Sequence, residues 1–452
     1  MKHNMNPELL RNLWLEMTPH RLIAMPLILA ALFFVIYLIA QQSAIPVIKS
    51  VSMLMYFLLA LFWGTRLAGE SIINEIRDYT WDTQRMTAIT PWTMTWGKLF
   101  GSTVYAWYGA IICLLVYAAV STAEFGAGIL KIVIACLLAG VLTQSIAMLS
   151  SMFAMERKYT RKRTTSVVFL VVGAALLVPA LKFAFSDAPL TELAIQWYGM
   201  SPMSLDFALF SLLVFCFWSI LGLYRKMRAE LQYRNRPFVW LAFNVFCAAY
   251  LAGFVGQQDF SVDAVYTVRL FVAFFTVLIL TYAALLIETK NPLVFRRLLL
   301  SARVQHWPTV LQNTNAWLAN LPLLLLLLIL ISSLNFGDVK GVVFDYFGKS
   351  LAVSLMVFLL RDIALFIFFN LGEKARRADI TVIVYLVALY WLLPTMLAGV
   401  QVPWLASMFM PYVQTYPVVT IVAGIVQLGF LAAMVRQRWL RNFPRETATA
   451  AS

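Results

Sequence analysis

Few side chains in this sequence are equipped for chemistry, and two groups stand out by their spacing. The first is Glu75-Ile-Arg77-Asp78-Tyr79-Thr80-Trp81-Asp82-Thr83-Gln84-Arg85, followed by Thr90-Pro91-Trp92 and then Gly97-Lys98. At helical spacing Ile72, Ile76, Tyr79, Thr83 and Met86 form one face, with Asn74, Asp78, Asp82 and Arg85 as a polar stripe beside it. Acid and base mixed on that stripe suit a protein partner, whereas a lipid-seeking helix would be dominated by Lys and Arg. Pro91 disfavours helix at Thr90, so the helix is expected to end there. The second group lies inside apolar runs: adjacent Arg361 and Asp362, and Arg269 standing more alone. An ionisable residue in a bilayer is costly and faces a bundle interior or an aqueous path. These three are candidates for a transport path, with structural pairing as the alternative. Arg361 and Asp362 point about 100° apart on a helix, so their partners are expected on other helices or near the headgroups.

Other chemistry is excluded or unsupported. His3, His20 and His306 lie far apart with no acid or cysteine at ligand spacing, so no metal site is expected. Cys113, Cys136, Cys216 and Cys247 fall in apolar runs without paired spacing and read as small packing residues. Gly348-Lys349-Ser350 invites a phosphate-loop reading, but Val343 stands where the first glycine is needed and an apolar run follows. The chain has no ATPase site of that kind, and an ATP-driven process would need a second polypeptide.

The elements that position these residues follow from composition. Of 452 residues 62% are hydrophobic and 12% charged, against roughly a quarter charged in soluble domains. The expectation is an all-α integral membrane protein with about 12 transmembrane helices of about 21 residues each. Apolar runs place them at about 21–40, 50–67, 99–120, 128–155, 165–186, 204–224, 238–256, 265–287, 317–336, 347–371, 380–400 and 416–435. Most of the 35 basic residues then fall on one side, which sets both termini in the cytoplasm. The net charge of +14 is thereby explained by topology, without nucleic acid as a partner. Membrane lipids are expected partners, and the Arg157 to Arg163 and Arg225 to Arg236 loops are suited to anionic headgroups. Lys131 and Lys182 lie near enough to span ends to snorkel, and Pro179 and Pro394 are expected to kink their spans.

Two connections on the basic side are long, about 68–98 and 288–316, and occupy matching places if the chain is two six-span halves, 1–230 and 231–452. Each begins with a glutamate (Glu70, Glu288) and reaches a tryptophan beside a proline (Pro91-Trp92, Trp307-Pro308). The second, at about 288–308, is basic, so it reads either as a diverged copy of the first or as an interfacial helix anchored by Arg296, Arg297 and Arg303 with Trp307 at headgroup level.

The run Glu75-x-Arg77-Asp78-x-Thr80-Trp81-Asp82, then Thr90-Pro91-Trp92 and Gly97-Lys98-Leu99, resembles the segment of ABC type-2 exporter permeases that forms their coupling helix, here at about 70–90. It departs from that pattern in having Tyr79 where a glycine usually precedes the threonine, and in its span number. The resemblance implies the permease subunit of an ABC exporter in the bacterial cytoplasmic (inner) membrane, moving an apolar or amphipathic substrate. Glu75, Asp78, Thr80, Trp81, Asp82, Arg85, Pro91, Gly97 and Lys98 would then meet a separate ATP-binding subunit, which would hold ATP and Mg; the pore would be formed either by this chain alone or by a homodimer or heterodimer of permease chains. The alternative is a secondary transporter driven by an ion or proton gradient, for which Asp362 is the coupling carboxylate.

Overall fold

The computed structural model describes residues 6–87, 89–126, 128–156, 195–233, 235–256, 262–288, 290, 292–333, 348–372, 378–411 and 416–443. The expected span at 165–186, the Arg157 to Arg163 loop, Pro179 and Lys182 lie outside them. Most of the described residues are helical, and nine helices among them are long and apolar enough to cross a membrane, as an integral membrane protein requires. They fall in two compact units. Gln196–Met200 and the described residues from Arg236 onward form the second, and the other described residues form the first.

In the first unit α1 is Pro7–Glu16 and α2 is Pro19–Ala40. Next, α3 runs through Ala44–Tyr56, a π-helical segment Phe57–Gly64, and Thr65–Arg77. Then come short α4, Trp81–Arg85, and α5, Pro91–Gly101, followed by α6, Val104–Phe125, α7, Gly128–Glu156, and α8, Ser204–Glu230. Although 19–77 is one nearly continuous helical run, the chain reverses at Gln41, whose φ is +42°. Met25 of α2 and Leu59 of α3 both approach Gly109 of α6, which a straight helix would forbid. The π segment has a visible cause: Gln144 Nε2 donates to the carbonyl of Ala60 at 3.1 Å, drawing that oxygen out of the ladder. Gly64 makes room for it, since a Cβ there would lie 2.5 Å from Gln144 Nε2.

The second unit comprises α9, Phe238–Ala252, α10, Val262–Ile287, α11, Pro292–Arg303, and α12, Trp307–Asn313. After these come α13, Ala316–Ser333, and α14, Lys349–Asn370. A single run, α15, covers Ala378–Val387, a π turn Ala388–Leu392 and Leu393–Gly399. Short α16, Pro403–Ser407, and α17, Pro417–Asn442, complete the unit. Its core gathers Phe274, Val277, Leu285, Trp317, Leu324, Leu359 and Phe366 from α10, α13 and α14. The π turn of α15 precedes Pro394, which has no N–H to give the carbonyl four residues back, so the ladder shifts there.

The nine long helices differ from the twelve expected runs for identifiable reasons. One run is outside the described residues, two share the reversed stretch 19–77, and α9, at 15 residues, falls short of the roughly 20 needed to span. The third expected run also starts later, because Ser102 and Thr103 turn the chain between α5 and α6.

Candidate functional site

The first unit brings the ends of α1, α3, α4 and α5 together around one buried ammonium. α1 is started by Asn6, whose Oδ1 accepts from the N–H of Glu8 at 3.0 Å and of Leu9 at 3.3 Å, with Pro7 in the first turn. The Asn6 amide also donates to the Thr93 carbonyl at 2.6 Å, tying α1 to α5. α5 offers a groove for α1 because Gly97 and Gly101 lie four residues apart on one face. A Cβ at Gly97 would come within 2.6 Å of Glu8 Cβ, and one at Gly101 within 2.8 Å of Asn12 Cβ.

Lys98 projects from α5 into this junction and is buried. Its Nζ donates to Glu8 Oε1 at 3.2 Å, to Gln84 Oε1 at 2.7 Å and to Glu75 Oε2 through a short contact. Three acceptors match the three protons of an ammonium. The Trp81 ring lies 5.3 Å from the same nitrogen. Glu75 Oε1 accepts from Gln84 Nε2 at 3.0 Å and from Arg11 at 2.7 Å, and Arg11 also reaches Glu8 at 2.9 Å. Burying two carboxylates is tolerable here because two cations and an amide satisfy them.

The expected uninterrupted helix to Thr90 does not form. α3 ends at Arg77, with the Thr80 N–H bonded to the Glu75 carbonyl at 2.9 Å and the Tyr79 N–H to the Ile76 carbonyl at 3.2 Å. That is a Schellman closure, which needs a left-handed residue, and Tyr79 supplies it with φ +58°. The turn rotates everything after it. Ile72 stays buried, but Tyr79 and Met86, expected on the apolar face, are 90% and 87% exposed, while Trp81 and Gln84 turn inward. Because Tyr79 holds a conformation that L-residues adopt at a cost of about 1–2 kcal/mol, Tyr79→Gly is expected to raise the thermal midpoint of the isolated chain. A lowered midpoint would contradict this account of the turn.

The nine docking candidates therefore divide. Glu75, Trp81, Gly97 and Lys98 belong to the buried clamp. Asp78, at 65% exposure, Asp82, at 82%, and the partly exposed Arg85 lie on the surface beside Tyr79 and Met86. Thr80 is exposed and donates to the Glu75 carbonyl at 3.2 Å. Pro91 opens α5 behind the Thr90 cap. The sequence places Asp78 and Asp82 on a polar face, and both are exposed. Glu8, Asn6 and Gln84 were missed, although Asn6-Pro7-Glu8 is a cap, proline and acid in the order that starts helices.

The intramembrane candidates do not form one site. Arg269 donates to the Val255 carbonyl at 3.0 and 3.3 Å and lies 4.8 Å from the Tyr198 ring, so it closes the end of α9. Arg361 and Asp362 pair with each other, contrary to expectation: Arg361 Nε and Nη2 reach Asp362 Oδ1 at 2.9 and 2.7 Å. The guanidinium stem is long enough to fold along the helix onto its neighbour. Partners on other helices complete the cluster. Tyr282 of α10 and Tyr390 of α15 each donate to Asp362 Oδ2 at 2.7 Å, and Arg361 Nη1 donates to Gln427 of α17 at 2.8 Å. Both charges are buried and each carboxylate oxygen has two donors, an arrangement that binds four helices together. Lys131, near the start of α7, is half exposed and meets Asp206 at 2.6 Å.

The connection 288–308 in the second unit is also helical, with a turn like that of the first. The His306 N–H bonds to the Ser301 carbonyl at 3.0 Å and the Gln305 N–H to the Ala302 carbonyl at 3.1 Å, Gln305 having φ +55°. Arg77 and Trp81 thus have counterparts in Arg303 and Trp307. The glutamates differ: Glu288 accepts from the Ala316 N–H at 2.9 and 3.0 Å, capping α13. Compared with known proteins, the chain is matched by no family model, no curated protein and no solved structure.

Proposed function

We propose that this chain is the permease subunit of an ATP-driven ABC exporter, with the 75–86 element as the dock for a separate ATP-binding subunit. The observation that carries the proposal is the contrast within that element. Its buried half is clamped through Lys98, Glu75 and Glu8 to α1 and α5. Its outer half presents Tyr79, Met86, Asp78 and Asp82 to solvent. A clamped loop with exposed aromatic, thioether and acidic groups suits a soluble partner, and its clamp gives a push on the loop a direct route into α3 and α5. In this reading the element lies at the cytoplasmic face, the partner supplies ATP and Mg, and about twelve spans in two halves enclose the path of an apolar or amphipathic substrate. The resemblance of residues 75–99 to ABC type-2 permeases supports the same assignment.

The test is reversal of charge on the exposed half. Asp78→Lys with Asp82→Lys is expected to abolish co-purification of the ATP-binding subunit, while membrane insertion and the thermal midpoint of the chain stay unchanged, since both carboxylates are largely solvated. Complex formation at the wild-type level would overturn the assignment of the dock.

A further inference from the structure

We infer that α11, together with the end of α17, forms a binding surface for anionic phospholipid headgroups. From Thr289 to Asn315 the sequence carries Lys290, Arg296, Arg297 and Arg303 and no acidic residue. The matching connection of the first unit is rich in acid, with Glu70, Glu75, Asp78 and Asp82. No residue of α11 is fully buried. Phe295 is its anchor, 6.0 Å from the Trp317 ring, and Arg296, Arg297 and Arg303 are exposed. None of these three is ion-paired among the described residues. Interleaved with them are Leu300, Val304 and Trp307, exposed at 49%, 78% and 61%.

Exposed leucine, valine and tryptophan alternating with arginine is the composition of a helix lying in a headgroup layer, with apolar side chains toward the acyl boundary and guanidinium groups on phosphates. The location agrees. α11 follows the end of α10 and precedes α13, two helices of spanning length, and the Glu288 cap on Ala316 holds those two ends together. The surface continues onto α17. Arg296 lies 5.4 Å from the Phe443 ring, and the last turns of α17 expose Arg436 and Arg441 beside Leu440 with no acid in that helix. A soluble protein partner is the competing occupant, but the guanidinium cluster matches lipid phosphate and the exposed aliphatic groups match the acyl boundary, both at the end of two spanning helices.

The test uses the full chain in nanodiscs. All four native cysteines are buried, so a nitroxide on Val304→Cys reports that site, and its relative accessibility to oxygen and to a water-soluble nickel chelate gives its depth. The expected result is a label at the headgroup to acyl boundary in discs containing phosphatidylglycerol, with the ATP-binding subunit absent. In mixed discs, phosphatidylglycerol retained on detergent extraction is expected to exceed phosphatidylcholine, an enrichment that falls with salt and by about fivefold for each arginine replaced in Arg296→Gln, Arg297→Gln and Arg303→Gln. The salt series shows that charge holds the lipid, and the arginine variants assign it to α11; where a variant fails to fold, the depth of the label on Val304→Cys, which leaves the arginines in place, decides the matter. A water-exposed label in phosphatidylglycerol discs, with retained lipid of bulk composition, would overturn the inference. Protection of the label that arises solely on adding a soluble ATP-binding subunit would also overturn it, and would make α11 a second protein dock.

Discussion

Lys98→Met is expected to lower the thermal midpoint of the purified chain by about 4 °C, taking about 3–5 kcal/mol for stranding charge at a buried site, and to abolish binding of the proposed ATP-binding subunit. The thioether keeps the length of the side chain but leaves Glu8 and Glu75 beside one another with Arg11, itself partly exposed, as their remaining cation. The charge argument has its own control. Combining Lys98→Met with Glu8→Gln and Glu75→Gln removes the stranded charges and is expected to recover much of the loss, because a neutral set of similar shape is tolerated where a lone charge is not. Midpoints that are equal for Lys98→Met and the parent would show that the clamp is not what holds α1, α4 and α5 together. A stable Lys98→Met protein that still binds its partner would contradict the mechanical role of the clamp as well.

Asp362→Leu is the second large effect. It leaves Arg361 buried with Gln427 and two aromatic rings as its surroundings, and the same 3–5 kcal/mol is expected to be lost. The paired change Arg361→Met with Asp362→Leu is expected to return to near the parent midpoint, measured by unfolding in a single detergent. Failure of the pair to recover would mean that the tyrosines, left without their acceptor, carry the destabilisation instead. The milder Asp362→Asn separates the two transport readings. As a pairing residue, its loss lowers stability and leaves the energy source untouched; in a secondary transporter it would remove ion dependence. With Tyr282, Tyr390 and Arg361 meeting both carboxylate oxygens, the geometry favours the first outcome.

Helical membrane character was legible because it is written in composition and in run length, which local physics reads directly. The polar character of Asp78 and Asp82, both exposed, was legible in the sequence too. The turn between them was not. A Schellman closure is signalled by glycine, and Tyr79 carries the left-handed conformation without that signal, so the 3.6-residue pattern was extended past the point where the chain leaves it. Tyr79, Thr83 and Met86, read as one apolar stripe with Ile72 and Ile76, are thereby exposed while Ile72 is buried, and Trp81 and Gln84 were not recognised as the inward pair. Glu8 illustrates a different limit: its partner is 90 residues away along the chain, and no spacing rule reaches that far. Arg361 and Asp362 were recognised as costly residues needing partners, but the direct pairing depends on a side-chain path that helical geometry alone does not specify. The π turn of α15, which carries Tyr390, could be anticipated from Pro394 as a disturbance of the helix, though not as a device that aims a hydroxyl at Asp362.

The central claim is that the exposed half of the 75–86 element meets an ATP-binding subunit. Its most direct measurement is site-specific crosslinking from Asp82→Cys in the tagged full chain, purified from its native host in nanodiscs, with the buried native cysteines as silent background. The account predicts a stoichiometric ATP-binding subunit, crosslinked at position 82 and showing vanadate-sensitive ATP hydrolysis. A preparation that transports under an ion gradient, carries no ATP-binding subunit in more than one solubilising medium and gives no crosslink at that position would contradict it.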